Sequence, residues 1–333
     1  MKTVDAVIPV RDGAQFLPAC LDSVLDQTRP LRRIIVVDDG STDTTAAVIS
    51  EYAKRHPNIQ MIRSDPAGVS SARNLGIRAS TADLVAFVDS DDIWKPEKIA
   101  RQAALFDDAP DVGFAHCSYF HIDRDGELIE NVPMVYPAKR GNIFLDLLDG
   151  YPLAGSASAV IARRELLLQV GGFDETLVHA EDFDVWLKLA HVSHVDFVPQ
   201  ALVGIREHAA SVQRRPDPLR SERDFLARLR VMQKWMALIG RPPKLLDACR
   251  TEAMRLGLMR ILFRFKFDFY RVMHAQAPGV VDAMFEDAAK YRQGLRSIAL
   301  REVLSLLARK VVVKSPFLLR CCQMFGKLRE IQS

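Results

Sequence analysis

Between Val4 and Val88 the chain carries four short apolar runs, VDAVIPV, IIVV, IQMI and LVAFV, and each stops in polar or acidic residues. Continuous apolar runs of this length, bounded by turn residues, read as strands buried on both faces of a sheet. The stretches between them have helical spacing. In AQFLPACLDSVLDQT the apolar positions are Phe16, Leu17, Cys20, Leu21, Val24 and Leu25; TTAAVISEYAKRH and AGVSSARNLGIRAS follow the second and third strands. Strand and helix alternating over about ninety residues implies an α/β fold, a mostly parallel central sheet flanked by helices. The 333 residues allow one large domain or two smaller ones.

The strand ends carry the chemistry. Asp38 and Asp39 close the second run, Asp65 follows the third, and Asp89, Asp91 and Asp92 follow the fourth. Open α/β sheets bind ligands at the carboxyl ends of their strands. Asp89 and Asp91 are two apart, so an extended segment would aim them the same way. Converging carboxylates repel unless a cation lies between them, and hard oxygen ligands favour Mg²⁺ or Mn²⁺, which often also hold phosphates. Asp92, ahead of WKPEKIARQAALF, reads as a helix cap. Neither GxGxxG after the first strand nor GxxxxGK[ST] occurs, which argues against the usual dinucleotide and P-loop folds.

Taken together, IPVRDGAQFLPACLDSVLDQT, IIVVDDGSTDTT, GVSSARNLGIRAS, LVAFVDSDDIWKPEKI, GGFDE and EDFDVWLKLA resemble a family 2 glycosyltransferase of the GT-A fold, of the inverting, non-processive type. The resemblance covers residues 1–210 and implies a nucleotide-sugar donor, with UDP first among nucleotides, and a glycan or lipid-linked acceptor. It places Pro9 and Val10 along the nucleotide base and Asp39 on the base NH. Arg11 stands where many relatives have an aromatic residue; its guanidinium plane can stack in the same place. Asp65 would approach the base or ribose, Arg73 the diphosphate with Asn74 beside it, and Asp89 the ribose or the metal. Asp91 would ligate Mn²⁺ or Mg²⁺, and His208 of IREHAAS matches a histidine that joins this site in several relatives, with Arg206 near the diphosphate. Asp182 would be the general base and Glu181 its orienting neighbour; the competing reading of this acid pair is helix capping. His116 and His121 read as structural, and Trp94 as a packing residue.

Residues 1–210 hold 20 Lys and Arg against 31 Asp and Glu, whereas 211–333 hold 25 against 11. The basic stretch reads as a C-terminal α-helical region, following the Pro- and charge-rich RRPDPLRSERD. It suits packing on the catalytic domain or on a second subunit of a homo-oligomer. Its last segment, Phe317 to Leu328, suits peripheral contact with an anionic membrane surface. No nucleic-acid partner is expected. The QxxRW motif of processive synthases is absent. The five cysteines lack metal or disulfide spacing, and MKTVDAVIPV enters a strand without signal-peptide architecture, so the expected location is the cytoplasm, peripherally on the cytoplasmic face of the inner membrane. Two other readings remain at this stage, a catalytically silent nucleotide-sugar-binding scaffold and a nucleotidyltransferase.

Overall fold

The computed structural model describes residues 1–130, 139–148, 153 and 156–208, together with 227, 231, 234 and 235. The chain divides into two units, Met1–Leu147 with Tyr151–Arg215, and Leu148–Gly150 with Pro216–Ser333. Of the second unit's basic stretch only Ala227, Val231, Lys234 and Trp235 are described, all helical. The membrane-contact segment Phe317 to Leu328 lies outside the described residues. Among the described residues no helix is long and apolar enough to cross a membrane.

The first unit runs β1 (Val4–Val10), α1 (Leu17–Leu25), β2 (Arg33–Asp39), α2 (Thr45–Arg55), β3 (Ile59–Ser64), α3 (Val69–Ala79), β4 (Leu84–Phe87) and β5 (Ile93–Trp94). It continues with α4 (Lys98–Ala104), β6 (Val112–Ile122), α5 (Phe144–Leu148), β7 (Val160–Arg163), α6 (Arg164–Gln169), α7 (Glu181–Val192) and β8 (His194–Arg206). The eight strands form one sheet in the order β3-β2-β1-β4-β7-β6-β8-β5. The expected parallel arrangement holds for β3-β2-β1-β4. The remainder is mixed: β7 is antiparallel to β4 and β6, β8 is parallel to β6, and β5 is antiparallel to β8. Four of the seven pairings are parallel, so the expected mostly parallel sheet holds, with an antiparallel minority around β7 and β5. β7 follows β4 through a long segment that returns it in the opposite direction, and no local pattern encodes that pairing.

β6 runs unbroken from Val112 to Ile122, and after the Asp123–Gly126 turn the chain returns only as a bridge between Ile122 and Leu128. β8 is likewise one long strand, His194–Arg206. Its register against β6 shifts between Cys117, Ser118 and Tyr119, and Pro199 sits opposite that irregularity. Proline donates no ladder hydrogen bond and is tolerated at a bulge.

Alternation along the parallel strands sends side chains to two layers. Val4, Ala6, Ile8, Ile34 and Val36 pack with Leu17, Leu21 and Ile49 of α1 and α2. On the other side α3 lies so close that a Cβ at Gly76 would sit 2.3 Å from Val7 Cγ1. Phe87, Phe114, Phe173 and Trp186 fill the space under α7, with Phe87 and Phe173 edge to face at 5.4 Å and Phe114 stacked on Trp186 at 6.2 Å. Burying each such ring contributes roughly 1.5–3 kcal/mol. This packing carries the start of α7 toward the rim where β1, β2 and β4 end.

Candidate active site

At the end of β1 the chain turns through Asp12, whose φ of +49° lies in the left-handed region. The Asp12 carboxylate holds this turn, accepting from the Thr42 amide at 2.7 Å and the Thr42 hydroxyl at 3.1 Å. Ser41 Oγ in turn accepts from the Asp12 amide at 3.0 Å. The β1 and β2 loops are therefore laced together, with Pro9 and Val10 buried and Arg11 exposed beside them.

Asp39 accepts at both oxygens from the amides of Ala67 and Gly68, at 2.8 and 2.9 Å. It thereby fixes the loop between β3 and α3. Asp38 is fully buried and accepts from the Ser41 amide, and Arg63 lies 3.7 Å from its second oxygen. Asp65 is exposed. Four buried polar atoms in this region make no hydrogen bond within the protein: Asp38 Oδ2, Ser64 Oγ, Ser70 Oγ and Arg73 Nε. Buried polar atoms are normally paired, so each of these orphans is a candidate for a polar partner from outside the protein.

Arg73 is the pivot. Its side chain is 5% exposed, its Nη2 lies 2.7 Å from Asp89 Oδ1, and its Nη1 lies 3.4 Å from Glu181 Oε1. Its guanidinium also lies 5.1 Å from the centre of the Phe173 ring. Burial opposes the charge, but Asp89 and Glu181 overcome it and hold the guanidinium more firmly protonated. The expected role of Asn74 at the diphosphate is corrected. Its amide donates to Phe173 O at 2.8 Å and accepts from Phe173 N at 2.9 Å, tying α3 to the Gly171–Gly172 turn.

After β4, Asp89 to Asp92 form a turn closed by Asp92 N donating to Asp89 O at 3.0 Å. The two-residue alternation of a strand does not apply there, so Asp89 and Asp91 acquire different partners. Asp89 meets Arg73 and, at 3.4 Å, Ser156 Oγ. Asp91 meets His208, with Oδ2 3.0 Å from Nε2. Burial first, then the Asp89 charge, raise the Asp91 pKa above the carboxylate norm, with the His208 hydrogen bond opposing. Asp92 does not cap α4, whose N-cap is Glu97. Asp92 is 3% exposed and accepts from Ser158 Oγ at 2.5 Å and from the Arg206 amide at 3.0 Å. Burial and the neighbouring Asp91 and Asp89 push its pKa well up. Ser158 Oγ also accepts from the Asp89 amide at 3.0 Å. Arg206 does not face a diphosphate: its Nε and Nη1 donate to the carbonyls of Asp91, Asp123 and Arg124.

Ala180 introduces α7 in the left-handed region, with φ of +61°. Glu181 and Asp182 open the helix. Burial, followed by the charge of Asp182, raises the Glu181 pKa, while Arg73 pulls it down. The Asp182 carboxylate accepts from the amide of Phe183 at 2.6 Å. Glu181 is thus locked to Arg73, and the half-buried Asp182 is held by its own helix start. Trp94, 3% exposed, donates to Ser158 O as a packing residue. His116 is fully buried, and His121 pairs with Glu207 at 2.8 Å.

Arg73, Asp89 and Glu181 are thereby linked, Asp91 meets His208 next to them, and Asp39 holds the loop ahead of α3. Ser156 and Ser158 join them without any sequence signal, because their contacts to Asp89 and Asp92 span 66 to 69 residues, and Phe173 meets Arg73 only through the fold. Among the described residues no group of three or more His, Cys, Asp or Glu forms a metal cluster.

A carboxylate rim of this kind on a mixed sheet defines a GT-A type fold, and comparisons agree. S. aureus TarS 1-349 in complex with UDP-GlcNAc matches with a TM-score of 0.60 and 18% identity over 76% of this chain and 71% of that one. The mannosyltransferase PcManGT from Pyrobaculum calidifontis, in complex with GDP-Man and Mn²⁺, matches with a TM-score of 0.52 and 19% identity over 90% and 86%. Residues 5–168 match the family model for glycosyl transferase family 2. That segment is therefore similar to members of this family. The uncharacterized glycosyltransferase RP339 of Rickettsia prowazekii (strain Madrid E) is 30% identical over 212 residues, which are 62% of this chain and 64% of that protein. The chondroitin synthase of Escherichia coli is 29% identical over 194 residues, 57% of this chain and 26% of that protein. The chain thus spans only part of the length of these curated relatives.

Proposed function

We propose that this chain is an inverting glycosyltransferase. It moves a sugar from a nucleotide-diphosphate sugar, UDP-linked by preference, to a hydroxyl of a glycan or lipid-linked acceptor at the cytoplasmic face of a membrane. The observation that supports this most directly is the single buried guanidinium of Arg73 joining Asp89 after β4 to Glu181 at the start of α7. It ties a donor-side acid to the acid pair that opens α7. Ser70 Oγ and Arg73 Nε on α3, buried without partners, are available to a donor's polar groups.

Asp91 and His208 offer a carboxylate oxygen and an imidazole nitrogen 3.0 Å apart, with the Asp89 carboxylate two residues away. This oxygen and nitrogen set fits Mn²⁺ or Mg²⁺, with the imidazole favouring the former. When bound there, the cation would neutralise charge gathering on the leaving diphosphate. Arg73 adds fixed positive charge on the same side. Asp182 takes the proton of the acceptor hydroxyl as its oxygen forms the new bond to the anomeric carbon. The bond from that carbon to the diphosphate oxygen breaks, and the nucleoside diphosphate leaves from the opposite face. Glu181, held by Arg73, keeps Asp182 at the helix start.

The test is turnover of UDP-sugars with Mn²⁺ by the full chain, alongside Asp91→Asn and Asp182→Asn. Loss of a general base costs roughly 10²–10⁴-fold in transfer, and both variants should still bind UDP. Full transfer by Asp182→Asn would place the base elsewhere. Donor turnover by Asp91→Asn at the parental rate would remove the cation from this site.

A further inference from the structure

His208 stands at the end of β8, and among the described residues no hydrogen bond reaches its Nδ1. Ligating histidines are usually oriented by a hydrogen bond at the nitrogen that does not bind the metal. Here the ring is held by packing instead. Phe16, just ahead of α1, lies 4.4 Å from the His208 ring, centre to centre, with the planes tilted by 39°. The Arg206 guanidinium lies 5.2 Å from the centre of the same Phe16 ring. Arg206 is itself 5% exposed. It donates through Nε to the carbonyl of Asp91 at 2.8 Å and through Nη1 to those of Asp123 and Arg124, at 3.1 and 2.8 Å. The contacts close a circuit: Asp91 backbone, Arg206, Phe16, His208, and back to the Asp91 carboxylate. A planar guanidinium presents its donors in a fixed fork, which suits several carbonyls at once while its face meets an aromatic ring.

We propose that Phe16 and Arg206 are positioning residues that fix the His208 imidazole against the Asp91 carboxylate. This rests on the reading of Asp91 and His208 as a cation site. Phe16 supplies the wall that limits rotation of the imidazole. Arg206 sets the depth at which the Asp91 backbone and the end of β8 meet. Neither residue donates an electron pair to a cation; each acts through the geometry of the pair that does. Outer-shell residues of this kind typically change metal affinity by 10- to 100-fold.

The experiment measures binding of Mn²⁺ alone to the full chain by electron paramagnetic resonance, with the melting temperature of each variant recorded in parallel. The variants are Phe16→Tyr, Phe16→Leu, Arg206→Lys and His208→Ala. Phe16 is half-buried, so Phe16→Leu is the variant expected to fold in every case. Phe16→Tyr should bind as the parent does, and Phe16→Leu about tenfold or more weakly. Arg206→Lys, lacking the fork, should lose affinity to a similar degree. His208→Ala should lose at least as much. Parental affinity in folded Phe16→Leu, with His208→Ala impaired, would overturn the positioning role and leave the cation site standing. Equal losses in Phe16→Tyr and Phe16→Leu would also overturn it, since the ring would not be what matters. A parent that does not bind Mn²⁺, or a His208→Ala that binds as well as the parent, would overturn the cation site itself.

Discussion

His116 tests how this fold handles a buried titratable group away from the reaction. It sits on β6, fully buried, with neither ring nitrogen hydrogen-bonded and the Phe197 ring 6.1 Å away. Burial alone lowers its pKa from 6.5 to about 4. The folded state keeps the imidazole neutral, whereas the unfolded chain takes up a proton as pH falls below the unfolded value. Stability tied to His116 is therefore fully present above pH 6.5 and is lost as pH falls toward 4. At about 1.4 kcal/mol per pH unit, the loss reaches about 2 kcal/mol at pH 5 and is negligible at pH 7.5. His116→Leu keeps the volume close and removes both unpaired nitrogens. At pH 7.5 it should be more stable than the parent by about 1 kcal/mol or more, because unpaired buried polar atoms are costly. Between pH 7.5 and pH 5 that advantage should grow by about 2 kcal/mol, or about 4–8 °C in melting temperature for a domain of this size. Thermal unfolding of both proteins at the two pH values measures it, and the other titrating groups cancel in the difference. An advantage that stays constant across this range would refute the buried, neutral, unpaired imidazole.

Three other substitutions probe the site's frame. Arg73→Leu leaves Asp89 and Glu181 without their shared partner; it should destabilise the domain by about 3–5 kcal/mol in urea unfolding and abolish UDP binding in calorimetry. Gly172 has φ of +65°, and a Cβ there would lie 2.3 Å from Asn74 Oδ1, so Gly172→Ala should cost upwards of about 1 kcal/mol, read as a lower melting temperature. Ala180 bears a Cβ in the left-handed region. Ala180→Gly should change stability by less than about 1 kcal/mol, whereas Ala180→Val should lower both stability and transfer rate.

The four apolar runs and their acidic ends were legible because buried parallel strands leave a local pattern, and the parallel half of the sheet is where local pattern and pairing coincide. The antiparallel half was not legible. β7 joins β4 and β6 across separations that no periodicity records, and the bulge at Pro199 exists only in the register of β8 against β6. Asp92 looked like a cap because acids before helices usually are; its burial against Ser158 and the Arg206 amide exists only once β8 is in place. The family resemblance placed Arg206 and Asn74 near the phosphates, whereas their hydrogen bonds here go to backbone.

The sequence alone determined that one strand would end in Asp39, that another would run into Asp89 and Asp91, and that a helix would open on Glu181 and Asp182, because burial and capping are short-range demands. Only the tertiary structure decided which of these acids meet. Arg73 reaches Asp89 sixteen residues away and Glu181 across 108. His208 reaches Asp91 across 117 residues. Such pairings follow from the order of strands in the sheet. That order is fixed by long-range packing of both faces of the sheet, to which each segment contributes only a part.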